Sequence, residues 1–144
     1  MSASVKLRTN VSGIGSGGQP LIEKGPKMLR LYVQLTLTNA VNYVTGGDTL
    51  DLTALFGTAG LPGYSFPTAS LPEKVEFQSV LPTSTPQTNT FLYQYVPGTT
   101  LANGKIQVFT GAAAQTGFTE LSAGAYPAGV LADIIEGEIF IPIP

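Results

Sequence analysis

The chain has 144 residues, with no His, Cys or Trp, 43% apolar and only 11% charged side chains, and a net charge of −2. Imidazole and thiolate carry most nucleophile, general-base and transition-metal chemistry near neutral pH. Without them an enzyme is not expected, and disulfides and Cys-containing zinc sites are excluded.

This length suits one domain, and two parts are expected within it, an extended basic Gly-rich arm over 1–27 and a single β domain over 28–144. The arm holds five glycines and two prolines and shows no sustained periodicity. Lys6, Arg8, Lys24, Lys27 and Arg30 against the single Glu23 give residues 1–30 a charge of +4, which leaves −6 for the rest. Two readings follow: the arm reaches an acidic partner surface, or it folds back along its own acidic body.

The strongest strand is 28–38, where Leu29, Leu31, Val33, Leu35 and Leu37 alternate with Arg30, Tyr32, Gln34 and Thr36. After the Gly46-Gly47-Asp48 turn a short strand carries Leu50 and Leu52 and ends in a helical turn at 54–56. Asp48 is expected to bond backbone amides after the glycines. The stretch 57–71 is a long loop. Strand 73–81 turns Val75, Phe77 and Ser79 inward, and strand 90–97 shares Phe91, Tyr93 and Tyr95 on one face.

Asn103-Gly104 reads as a positive-φ hairpin turn into strand 104–110. A short strand is expected at 118–121 within the loop 111–129. Strand 131–141 closes the chain, with Ile135, Gly137, Ile139 and Ile141 inward and Glu136, Glu138 and Phe140 outward. The fold class is all-β: an antiparallel β-sandwich or jelly-roll-like barrel of six to eight strands with an extended N-terminal arm.

No constellation supports a cofactor or a metal. Gly13, Gly15 and Gly18 spell G-x-G-x-x-G, but Pro20 follows and the strand and helix of a dinucleotide site are missing. Glu136 with Glu138 has the spacing a glycosidase needs, yet outward carboxylates at i and i+2 are expected to be solvated spacers, as are Glu73 with Glu76 and Asp48 with Asp51. Ser and Thr lack a histidine base, and a Ser–Lys pair with Lys6, Lys74 or Lys105 has nothing to favour it. Tyr64, Phe66 and Tyr126 fit three roles, ranked as plugs for the ends of the sandwich, protein contacts and sugar platforms. No apolar run resembles a signal peptide or approaches a membrane span, so synthesis in the cytoplasm is expected, with no membrane and no nucleic acid as partner. Charged residues usually make up about 25% of a domain, and a surface this poor in charge suits faces covered by neighbours. A homo-oligomer is expected.

The stretch Tyr43-Val-Thr-Gly-Gly-Asp-Thr-Leu-Asp-Leu-Thr-Ala-Leu55 resembles an element of small structural proteins of tailed bacteriophages. Tyr93-Gln-Tyr-Val-Pro-Gly98, then Asn103-Gly-Lys-Ile-Gln-Val108, is similar to the hairpin that follows in them, and the acidic, isoleucine-rich last strand fits as well. Within that group the chain looks most like a capsid decoration, or cement, protein. The resemblance implies a non-enzymatic virion structural protein, often trimeric, that binds the major capsid protein lattice on the capsid exterior. It supplies no catalytic residues. Charge and the loop aromatics name Lys6, Arg8, Lys24, Lys27, Arg30, Tyr64, Phe66 and Tyr126 as interface candidates. The alternatives are another phage head or tail structural protein, or a carbohydrate- or receptor-binding β module.

Overall fold

The period-two apolar pattern produces two antiparallel sheets in the computed structural model, which describes residues 3–8, 22–24, 28–55, 71–80, 91–111 and 117–142. The first sheet is centred on β3 (Met28–Leu37) and β9 (Ile135–Pro142), with β5 (Lys74–Ser79) beyond β9. On the other edge of β3 lie β1 (Ala3–Leu7) and β2 (Ile22–Lys24), end to end: Leu7 is in register with Val33 and Ile22 with Leu31. The second sheet is centred on β7 (Gly104–Gly111), flanked on one side by β6 (Phe91–Val96) and on the other by β4 (Asp48–Leu50) and β8 (Phe118–Glu120). The sheets are open, so the architecture is the sandwich and not the closed barrel.

Register explains the core. Leu29, Leu31 and Leu35 of β3 oppose Ile141, Ile139 and Ile135 of β9, and Val75 and Phe77 of β5 oppose Ile139 and Gly137. From the second sheet come Leu50, Phe91, Tyr93, Ile106 and Val108, all buried. Withdrawing each large aliphatic chain from water contributes about 1.5–3 kcal/mol. Gly137 is set by packing: a Cβ there would lie 2.8 Å from Cε1 of Phe77, so the missing side chain is what seats that ring.

Three expectations are corrected. The start of the N-terminal segment is not an arm without strands, because Ala3 and Val5 are buried and β1 and β2 pair with the edge of β3. The alternation of Ala3, Val5 and Leu7 is short and a glycine-rich stretch follows it, so the segment carries no sustained period. Asn103-Gly104 does not form the positive-φ turn. Among described residues the positive-φ glycines are Gly46, Gly47, Gly117 and Gly124, while Gly104 opens β7 and Asn103 caps the loop by accepting from Thr100 N at 2.8 Å. Finally, the last strand begins at Ile135, because Pro127 starts a single helical turn, α1 (Ala128–Leu131), which removes Leu131 from it. The short strand near 118 and the inward positions of β5, β6 and β9 are where the pattern puts them, and the 3-10 turn at Thr53–Leu55 starts one residue before the expected 54–56.

Candidate functional site

The outer face of the first sheet concentrates charge. Arg30 holds Glu138 with two bonds, Nη2 to Oε1 at 2.7 Å and Nε to Oε2 at 3.2 Å, while Arg8 pairs with Glu136 at 2.9 Å. The Arg30 guanidinium also lies 4.9 Å from the Tyr32 ring centre and 5.4 Å from that of Phe140. Glu136 and Glu138 are therefore not solvated spacers on an edge: β9 is interior to its sheet, and each carboxylate has an arginine. Arg8 and Arg30 belong to the body's own charge ladder, and Lys6 is exposed in β1 in register with Gln34. Of the two readings of the basic segment, folding back along the acidic body is what Arg8 shows. Lys24 lies in β2; Lys27, Tyr64 and Phe66 lie outside the described residues.

Tyr126 takes the plug role and is not a contact surface. Its ring is 3% exposed, packs 5.4 Å from that of Tyr43, and its hydroxyl donates to Asp48 Oδ2 at 2.7 Å. Asp48 is buried and accepts from Val44 N at 3.1 Å, an amide before the glycine turn. Glu120 accepts from the Tyr43 hydroxyl and from Gly46 N, each at 2.6 Å. The φ of +98° at both Gly46 and Gly47 lets the chain reverse within this clamp. At another point of the fold Asp133 accepts from Ser79 Oγ and the Tyr93 hydroxyl, each at 2.7 Å. Burial, with the neighbouring carboxylates, pushes the Tyr43 and Tyr93 hydroxyls well above the ordinary value of 10.0. Neither Glu120 nor Asp133 carries a sequence signal, since both are lone acids in turn-rich segments.

The outer face of the second sheet differs. Rows of Leu92 with Phe109, Gln94 with Gln107, and Val96 with Lys105 cover it. With Asp48 of β4 buried, its strands turn outward one cation, Lys105, and one carboxylate, Glu120, already drawn to Tyr43 and Gly46. Leu92 is 43% and Phe118 51% exposed. Beside this face an open groove of about 760 Å³ runs between β5 and β6, walled by residues 75–78 and 92–95 and completed by Arg8, Tyr32 and 136–138. Among the described residues no group of three or more acidic side chains could hold a metal ion.

No family model matches this chain, and neither a curated protein nor a solved structure matches it.

Proposed function

We propose that the protein is a non-enzymatic structural protein of a tailed-phage particle that docks on the outer capsid lattice through the outer face of its second sheet. The observation that supports docking there is an apolar, lightly charged surface with Phe118 and Leu92 half-exposed on strands. Interface cores are depleted of charge and enriched in aromatic residues, which is the composition of this face. The choice of a phage capsid comes from the sequence resemblance, and it implies a virion exterior location, the major capsid protein as partner, and a trimer on the rotational symmetry of the lattice. The glycan-binding alternative rests on the loop aromatics Tyr64, Phe66 and Tyr126, of which Tyr126 is buried and the other two lie outside the described residues.

Pelleting with empty capsids of the same virus tests the reading. The wild-type chain is expected to sediment with them, and Phe118→Glu, an exposed substitution that leaves the core alone, is expected to stay in solution. Equal pelleting of both proteins, or of neither, contradicts it.

A further inference from the structure

Among the described residues the groove beside the docking face is bounded by two strand edges without strand partners. Among the described residues β5 pairs only with β9 and β6 only with β7, and no backbone hydrogen bond joins β5 to β6 although they run close together. Exposed edges are usually protected by charge, proline or a bulge. β5 has Lys74 and Glu76, whereas β6 reads Phe-Leu-Tyr-Gln-Tyr-Val, all strand-forming and uncharged. Both walls of the groove are runs of consecutive residues, so backbone as well as side chains faces it.

Size sets what fits. One strand residue fills about 160 Å³, from a rise of about 3.3 Å, a strand spacing of about 4.8 Å and a sheet separation of about 10 Å. A groove of about 760 Å³ has room for a single strand of roughly five residues and not for a folded sheet. Charge sets what kind. Glu136 is held by Arg8 and Glu138 by Arg30, which leaves Glu76 as the lining carboxylate without an arginine, directly opposed to Glu138 across β5 and β9. Like charges in that position repel. The Lys74–Glu76 pair is 57% exposed on both sides and offsets little of this.

We propose that this groove is a strand-addition site, in which an extended lysine-bearing segment of a partner protein pairs with the edge of β6 that carries no strand among the described residues and sets its cation beside Glu76. Main-chain hydrogen bonds supply the affinity in such a mode, and side-chain pockets the selectivity. The groove adjoins the docking face, with Leu92 and Gln94 belonging to both, so the segment comes from the lattice subunit seated on that face. Only this source rests on the docking reading.

The test titrates the isotopically labelled full chain, free of capsids, with a blocked hexapeptide of alternating valine and lysine, its glutamate counterpart, and a version N-methylated at alternate residues. Saturable amide shifts confined to 75–78, 92–95 and 136–138 are expected with the lysine peptide by about millimolar concentration, with at least about tenfold weaker binding of the other two. Glu76→Lys is expected to reverse the preference between lysine and glutamate. Three results overturn the proposal: no saturable shift, equal binding of the methylated peptide, or shifts of the same amides with protein concentration alone, which would assign the edge to a second copy. Capsid pelleting is scored separately, so either reading can fail without the other.

Discussion

Tyr93 and Tyr95 sit two residues apart on the same inward face, yet their hydroxyls have opposite fates. That of Tyr93 donates to Asp133 at 2.7 Å, whereas that of Tyr95 is buried beside Gly104 without a hydrogen-bond partner among the described residues. Removing a satisfied hydroxyl strands its acceptor; removing an orphan removes only a desolvation cost. Tyr93→Phe should destabilise by about 1–2 kcal/mol, and Tyr95→Phe should be neutral or stabilising by up to about 1 kcal/mol, read from urea midpoints. A loss at Tyr95 equal to that at Tyr93 would contradict the difference. Tyr43, Tyr93 and Tyr95 are all raised above 10.0 by burial. For a group raised on folding, the stabilisation is complete below the unfolded value and is lost as pH climbs toward the folded one. Stability should therefore hold to about pH 10 and fall above it, with these three rings ionising only as the fold is lost. An ultraviolet titration checks this: six tyrosinates appearing near pH 10 in still-folded protein would contradict it.

At the scale of elements, β5 tests register. Phe77 is 7% exposed and covers Gly137, while Gln78 points to solvent. Phe77→Ala should cost about 3–5 kcal/mol and Gln78→Ala no more than about 0.5 kcal/mol, so equal denaturation midpoints would place the strand one residue out. Strands such as β3, β6 and β9 were legible because each alternates over at least six residues with one side wholly apolar. The Asn103-Gly104 signal found a real hairpin but gave the wrong chemistry. Its asparagine caps the loop through Thr100 N, and its glycine begins the strand under Tyr95. The helical turn at α1 escaped because four residues after a proline carry no measurable period.

The molecule as a whole depends on its N-terminus more than its composition suggests. β1 covers the edge of β3 and also touches β4 and the 3-10 turn of the other sheet, so it bridges the two layers. A chain lacking residues 1–8 should lose on the order of 3 kcal/mol, through exposure of core surface and unpaired β3 backbone, whereas Lys6→Ala should change stability by no more than about 0.5 kcal/mol. Equal midpoints for the truncated and full chains would show that β1 is dispensable. Neither the proposed docking face nor the groove was legible as a site. Each depends on which strands become neighbours, and the residues the sequence did single out, such as Arg8, Arg30 and Tyr126, are held by Glu136, Glu138 and Asp48.

Docking on an assembled lattice has a thermodynamic consequence. A protein that binds assembled capsid but not dispersed subunits stabilises the assembly by about 2.7 kcal/mol per site at about 100-fold excess over its dissociation constant. The most direct measurement is a thermal melt of capsids alone, with the wild-type chain, and with Phe118→Glu. A higher capsid melting temperature with wild type only is the predicted result; an unchanged temperature at saturating occupancy would contradict the proposed function.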